Sequence, residues 1–269
     1  MEEKLRKPRW LVRSVLIAAA MLAMPPSAPA ADVHVMISAG FYHAYAELGA
    51  AFERASGHHL ITTRGPSMGD SPEAIPARLA RGEAADVAIL DGGAADVLAA
   101  RGLLRADSKV TLARSVIGMV VREGAAKPDV GSVNAFKRTL LAAKSIAYSD
   151  SGSGTYLATK LFAQLGIADQ VLPKSRKIRG PPSGEPVAAV VARGEAEIGF
   201  QQVSELMHVE GVSYVGTIPA ELQPVFTFAA ALTPSAQEVE GGSALIRFLA
   251  SPEAAAVITA AGLAPPAGQ

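Results

Sequence analysis

The most constraining feature of this 269-residue sequence is a regular alternation of short apolar runs with helical periodicity. Residues 33–37 are typical of a buried strand, and residues 42–56 separate apolar from charged side chains as an amphipathic helix does. Gly57 is expected to end that helix. Because parallel strands need a crossover connection such as a helix, the alternation predicts an α/β fold with a parallel sheet.

A break and a return in this pattern predict two lobes. The alternation restarts after residue 115, and a long apolar strand begins near residue 225. We expect one doubly wound α/β lobe from residues 31–114 together with 225–269, and a second from residues 115–224. Two crossings of the chain between the lobes would form a two-stranded hinge.

The first thirty residues have the layout of a secretory signal peptide. Five basic residues lie in a stretch that leads into the apolar residues 15–24, and Ala28-Pro29-Ala30 has the small-residue pattern of a cleavage site. The apolar stretch is much shorter than the roughly 20 residues that a membrane span requires. We therefore expect residues 1–30 to be removed and the mature protein to reach the periplasm.

Charge and cysteine content exclude several kinds of function. Without its first thirty residues the chain carries 20 basic and 23 acidic residues, a net charge of about −3. This charge gives no global attraction for nucleic acid or an acidic membrane. The chain has no cysteine, which excludes disulfides, thiolate metal sites and thiol catalysis. His58 and His59 are adjacent and point apart on an extended segment, so we predict neither a metal site nor a cofactor.

Three loops rich in small and hydroxyl residues are predicted at helix N-termini, and they begin at Ser38, Gly65 and Ser149. Ligands of open α/β sheets bind outside the carboxyl ends of the strands, and a helix N-terminus offers unpaired N–H groups to an anion. The loops therefore predict a site for a small anion, although ordinary helix capping would explain each serine as well. The candidate residues of these loops and their surroundings are Ser38, Phe41, His43, Arg64, Ser67, Ser71, Ser151, Ser153, Gly154 and Thr155.

His43 is the candidate for proton transfer if the protein is an enzyme. It lies in the first turn of its predicted helix, where the helix dipole disfavours the charged imidazolium. A neutral imidazole that faces the ligand could donate a hydrogen bond or accept a proton. The alternative interpretation is a histidine that is solvated or lies at the edge of the core.

Four motifs resemble those of the periplasmic molybdate-binding proteins of ABC importers, in the same order and at similar spacing. They are residues 46–57, 81–87, 193–199 and 248–254, and together they extend over nearly the whole mature chain. The resemblance implies a type II periplasmic-binding-protein fold that captures an anion between closing lobes. It also implies a monomeric receptor whose partner is the membrane component of an ABC transporter.

The ligand residues depart from that resemblance. Gly40 falls where the family has its first oxyanion-binding serine, and Gln202 falls near the family's tyrosine. Ser67 and Ser71 both compete for the position of the second serine, whereas Gly154 matches a turn of the family. These departures favour a carboxylate or another oxyanion over molybdate.

Two functions are compatible with these features. The leading hypothesis is a receptor that captures a small carboxylate or oxyanion for ABC-type uptake, because this fold usually binds rather than catalyses. A fold does not fix function, however. The alternative is an isomerase on the same scaffold, similar to the aconitate isomerases in size and compartment. Such an enzyme would move a proton on a tricarboxylate and would need a base whose pKa lies near neutrality.

Overall fold

The computed structural model of the chain describes residues 30–69 and 71–266. All but the last residue of the predicted signal peptide therefore lie outside the described residues. Within the described part of the chain, no single helix is long and apolar enough to cross a membrane, and one bent pair, Val239–Leu249 with Pro252–Ala260, passes by length and composition.

Ten strands of the described residues form two five-stranded sheets. The first sheet contains β1 (Asp32–Ile37), β2 (His59–Arg64), β3 (Val87–Asp91), β4 (Val110–Ser115) and β10 (Phe226–Leu232), in the order β2-β1-β3-β10-β4. The second contains β5 (Ile117–Arg122), β6 (Ile146–Ser149), β7 (Ser175–Ile178), β8 (Ile198–Gln202) and β9 (Val212–Thr217), in the order β7-β6-β8-β5-β9. The predicted pair of α/β lobes is confirmed.

The parallel pairing predicted from the first strands is found, and antiparallel strands make both sheets mixed. β1 pairs in parallel with β2 and β3, whereas β10 pairs antiparallel with β3 and β4. In the second sheet β6 pairs in parallel with β7 and β8, and β5 pairs antiparallel with β8 and β9. β5 and β10 are the strands with antiparallel partners on both sides. Each of them follows a passage of the chain between the sheets, from β4 into β5 and from β9 into β10. The boundaries predicted for the lobes, near residues 114 and 225, stay a prediction.

Helices cover both faces of each sheet. Lobe 1 carries α1 (Ala39–Ser56), α2 (Ile75–Ala80), α3 (Gly92–Ala100), α10 (Val239–Leu249) and α11 (Ala255–Ala260). Lobe 2 carries α4 (Val133–Ala142), α5 (Gly152–Tyr156), α6 (Phe162–Gln164), α7 (Ala168–Val171), α8 (Val187–Ala192) and α9 (Val203–Leu206). A π-helical segment, Leu157–Leu161, joins α5 to α6.

Each sheet has an apolar cluster on each of its two faces. In lobe 1 the apolar face of α1, including Phe41 and Phe52, packs with Leu245 of α10, while Leu98 of α3 belongs to the cluster on the opposite face. In lobe 2 one cluster is built around Phe136 and the other around the valines of α8. Because each lobe buries its own core, the loops at the strand ends are left to form a site between the lobes.

Candidate functional site

A cavity lies between the lobes at the carboxyl ends of the parallel strands, where an open α/β sheet binds its ligands. The space in it that the centre of a water-sized sphere can occupy is about 40 Å³. Lobe 1 contributes Ser38, Gly40, Ser67 and Asp91, and lobe 2 contributes Asp150, Ser151, Gln201, Gln202 and Glu205. The site is therefore shared by both lobes.

Ser38 presents an unpartnered hydroxyl to this cavity. The residue immediately precedes α1, is only 4% exposed, and has an Oγ atom that caps no helical N–H group and has no hydrogen-bond partner. Its backbone N–H is used elsewhere, because it donates to the carbonyl oxygen of Ile89 at 2.9 Å. The first N–H groups of a long helix carry a partial positive charge. The Ser38 hydroxyl and the N-terminus of α1 are therefore suited to an anion.

Hydroxyl groups also face the cavity from the second and third predicted loops. Ser67 Oγ accepts a hydrogen bond from the Asp91 backbone N–H at 2.9 Å, which leaves its own hydrogen available. In lobe 2 the hydroxyls of Ser149, Ser151 and Ser153 lie within 2.7–3.3 Å of one another. Ser151 lines the cavity directly, whereas Ser153 is fully buried behind it.

Gly40 is the point at which lobe 2 docks onto the N-terminus of α1. Ser204 Oγ donates a hydrogen bond of 2.8 Å to the Gly40 carbonyl oxygen. A Cβ atom on Gly40 would lie 2.2 Å from Phe228 Cζ and 2.6 Å from Gln202 Oε1, so a side chain there would require both groups to shift. The departure at this position therefore has a steric reason: the serine that the resemblance expects would meet both neighbours.

Glu205 is a functional candidate that the sequence analysis did not identify. It lies in α9, and Gln201 Nε2 donates a hydrogen bond of 2.6 Å to its Oε2 atom. Burial is the main cause that raises the pKa of Glu205 to about 7, and the nearby charge of Asp150 adds to it. The hydrogen bond from Gln201 and the charge of Arg64 act in the opposite direction. A carboxyl group with this pKa is present in both protonation states at neutral pH.

The cavity contains acidic residues but no lysine or arginine among the described residues that line it. Asp91 Oδ1 accepts from the Ala94 backbone N–H at 3.0 Å, and Asp150 Oδ1 accepts from that of Gly180 at 3.1 Å. Both carboxylates are thus held by backbone groups of the protein. Hydroxyls, backbone N–H groups and amides therefore supply the donors for an anion, with Arg64 close enough to influence Glu205.

Several predicted site residues lie outside the cavity lining. Phe41 is fully buried in the core and packs against Phe228, with ring centroids 6.2 Å apart. Arg64 lies over the ring of Tyr42, its Cζ atom 3.9 Å from the centroid. His43 is exposed and stacks on His208.

Besides Ser153, three further predicted residues outside the lining belong to two loops. Ser71 has a buried Oγ atom without a hydrogen-bond partner. Gly154 packs so tightly on the end of β6 that a Cβ atom would lie 1.7 Å from the Ser149 carbonyl oxygen. Thr155 is exposed. Within the described part of the chain, no group of three or more His, Asp or Glu side chains is arranged to hold a metal ion.

The site residues that the sequence analysis did not predict lie at or just after the ends of strands. Asp91 is the last residue of β3, Gln201 is the penultimate residue of β8, and Glu205 lies three residues after that strand. Ligands of an open α/β sheet bind at the carboxyl ends of its strands, and this position alone marks Asp91 and Gln201 as candidates.

Comparison with known proteins identifies the relatives of this chain. A sequence model of the family described as bacterial extracellular solute-binding protein matches residues 33–264. Aconitate isomerase from a Pseudomonas species is 44% identical over 255 residues, covering 94% of this chain and 96% of that protein. The molybdate-binding protein ModA from Azotobacter vinelandii is 28% identical over 259 residues, covering 92% of this chain and 95% of that protein.

Solved structures share the fold. The periplasmic molybdate-binding protein of Azotobacter vinelandii aligns with a TM-score of 0.69 at 22% identity, covering 87% of this chain and 99% of that one. The sulfate-binding protein SubI from Mycobacterium tuberculosis aligns with a TM-score of 0.69 at 16% identity, covering 88% of each chain. These neighbours confirm the predicted type II periplasmic-binding-protein fold. The chain belongs to the bacterial extracellular solute-binding protein family.

Proposed function

We propose that this protein binds a small polycarboxylate between its lobes and isomerises it as an aconitate isomerase does. The observation that carries the proposal is Glu205, a carboxyl group in the cavity with a pKa of about 7. The relative at 44% identity, an aconitate isomerase, supports the same reaction because the similarity extends over nearly the full length of both proteins.

The donors of the cavity suit a carboxylate ligand. Ser38 Oγ and the N–H groups at the start of α1 face it from lobe 1, and Ser151 faces it from lobe 2. Gln202, whose Oε1 accepts from Ser115 Oγ at 3.2 Å, has amide hydrogens that can donate. A site built from such separate donors can bind several carboxylate groups at once, which a single compact oxyanion would not require.

Glu205 has the protonation behaviour that the reaction needs. Interconversion of the two aconitates requires removal of a proton from the methylene carbon next to one carboxylate. A proton then returns to the carbon at the far end of the double bond, and the double bond shifts between them. A group with a pKa near the working pH can accept the first proton and return it. Glu205 takes this role in the proposal in place of His43, which lies outside the cavity lining.

A receptor for ABC-type uptake is the second candidate function, and the family supports it. The matched family is one of solute-binding proteins, and two related structures are those of molybdate-binding and sulfate-binding proteins. In this alternative the protein is a monomer that binds one small carboxylate or oxyanion and delivers it to a membrane component. Both functions place the mature protein in the periplasm after removal of residues 1–30.

One experiment separates the two functions. The mature protein, starting at Ala31, is mixed with cis-aconitate or trans-aconitate, and the conversion of one into the other is followed by proton NMR. Thermal unfolding is measured in parallel with both aconitates, citrate, molybdate and sulfate. A ligand at 100 times its Kd adds about 2.7 kcal/mol of stability. Stabilisation by an aconitate without conversion would support the receptor, and stabilisation by molybdate alone would overturn the carboxylate site.

A further inference from the structure

Gln201 is a buried amide whose two ends are both engaged. Its Oε1 atom accepts a hydrogen bond of 3.2 Å from the backbone N–H of Val187, the first residue of α8. Its Nε2 atom donates to Glu205 Oε2 at 2.6 Å. Because a backbone N–H can only donate, the oxygen of the amide has to face Val187, and the nitrogen has to face Glu205.

This fixed amide makes the two oxygens of Glu205 different. Oε2 accepts a hydrogen bond from an N–H group, which favours Oε2 as the oxygen without the proton. No hydrogen bond to Oε1 is seen among the described residues, and Glu205 lines the cavity. The proton of Glu205 is therefore directed to the oxygen that can meet a ligand.

We propose that Gln201 is a positioning residue that holds Glu205 by Oε2 and presents only Oε1 to the ligand as the atom that accepts and returns the proton. The assignment of proton transfer rests on the proposed function, whereas the effect on Glu205 is a property of the protein alone. Gln201 acts through Glu205, because its own amide is occupied on both sides.

The charged groups that act on Glu205 come from several elements. Asp150, in the loop after β6, opposes ionisation, and Arg64, at the end of β2, favours it. The Gln201 amide favours it by direct donation. Asp91 lines the same cavity from lobe 1. Because the first two groups are unchanged when Gln201 is replaced, the effect of its amide can be measured separately.

The test is a titration of Glu205 in protein labelled with 13C at the glutamate carboxyl carbons, with Glu205→Gln used to assign the signal. In Gln201→Met, which removes both hydrogen bonds at similar volume, the pKa of Glu205 is expected to rise by about 1. Gln223→Met is the control, because Gln223 also holds backbone groups through both ends of its amide but lies outside the cavity lining. This control is expected to leave the titration unchanged.

Gln201→Glu keeps an acceptor for Val187 and loses the donor to Glu205, so it tests the proposal even if Gln201→Met does not fold. The two carboxyl groups are then expected to share one proton and to titrate as a pair, with the upper pKa above that of the wild type. An unchanged Glu205 titration in the folded variant would overturn the proposal. In a protein that isomerises aconitate, the pH profile of kcat/KM shifts with the same pKa. Absence of turnover with a shifted titration would overturn the proposed enzyme and support the role of Gln201 on Glu205.

Discussion

The imidazole rings of His43 on α1 and His208 after α9 stack on each other across the two lobes, with centroids 3.9 Å apart and planes 25° apart. The partial burial of its ring lowers the pKa of His43, and the neighbouring His208 and Arg64 lower it further. Tyr42 adds an edge contact with the His43 ring, with centroids 6.2 Å apart. The neutral form of the His43 ring is therefore favoured in this contact between the lobes, since its protonation would place a positive charge near Arg64 and against the His208 ring.

This contact predicts a loss of stability in acid. Since the pKa of His43 is lower in the folded state, the unfolded chain binds more protons as the pH falls below about 6.5. The stabilisation is thus complete above that pH and is lost as the pH falls. Thermal unfolding between pH 8 and pH 5 is expected to show a steeper fall in Tm for the wild type than for His43→Gln. His59→Gln, at an exposed histidine, is expected to follow the wild type. Equal slopes in all three proteins would contradict this role.

Glu205→Gln is expected to abolish proton transfer and to keep ligand binding. A glutamine fits the same space and can still accept from Gln201 at its amide oxygen, but it cannot take a proton. Because a positioned acid or base contributes about 10²–10⁴-fold to a rate, kcat for aconitate conversion should fall by at least about 100-fold. The measurement is the NMR conversion assay together with the Kd of each aconitate.

The matched control for that substitution is Glu210→Gln, which removes the same charge from an exposed residue close to α9. It should leave kcat and Kd near the wild-type values. Full activity in Glu205→Gln would assign the proton transfer to another group, and equal loss in both variants would point to a general effect of charge.

Glu205→Gln is also expected to stabilise the protein at high pH. The pKa of Glu205 is raised to about 7, so the folded state holds its proton between about pH 4.5 and pH 7, where the unfolded chain has lost it. The free energy of unfolding therefore falls as the pH rises through this window. Glu205→Gln cannot ionise and should be more stable than the wild type by about 1–3 kcal/mol at pH 8, with little difference at pH 4.5. Denaturant unfolding at the two pH values checks this, and a difference independent of pH would refute it.

Gly40→Ser tests the steric reason for the departure from the molybdate-binding pattern. The added side chain meets Phe228 Cζ and Gln202 Oε1, so it forces either the aromatic ring or lobe 2 to move. Overpacking of this kind costs about 1–3 kcal/mol. We expect weaker aconitate binding and a lower Tm, whereas Ala50→Ser, farther along α1, should change neither. Unchanged binding in Gly40→Ser would mean that the lobes need not dock at this residue.

The sequence predicted the interior of the fold better than its edges. The apolar periodicity does not mark β4, β7 or β9, and each of these is one of the two outer strands of its sheet. Two of the four residues of β7 are exposed, so its sequence lacks the apolar run that marks a buried strand. The interior strand β1 was predicted at residues 33–37 and spans Asp32–Ile37, and β10, predicted to begin near residue 225, begins at Phe226, because burial on both faces requires apolar residues.

The sequence predicted only those site residues whose position follows from their immediate neighbours in the chain. Ser38 and Ser151 line the cavity as the residues that precede α1 and α5 just after strand ends, and Ser67 lines it from the loop that follows β2. The properties of Glu205 arise from burial between the lobes and from groups of three other elements, and no local pattern encodes that arrangement. His43 has the right helix position but is directed to His208, which only the packing of the lobes decides.

Asp86, which belongs to the motif of residues 81–87, stabilises the fold of lobe 1. Its Oδ2 accepts from the His34 backbone N–H at 2.7 Å, and its Oδ1 accepts from those of Gln237 at 2.7 Å and Glu238 at 2.9 Å. The carboxylate is 2% exposed and thereby ties the starts of β1 and β3 to the segment before α10.

Asp86→Asn should therefore destabilise lobe 1 without affecting the ligand site. An asparagine can accept with one oxygen only, so at least one of the three N–H groups would face an amide nitrogen. Loss of a buried hydrogen bond to a charged group costs about 1.5–3 kcal/mol. Denaturant unfolding should show a loss of this size, with Kd for aconitate unchanged at temperatures where the variant is folded. Asp169→Asn, at an exposed residue of lobe 2, is the control and should unfold like the wild type. A large change in Kd for Asp86→Asn would instead connect this end of the sheet to the cavity.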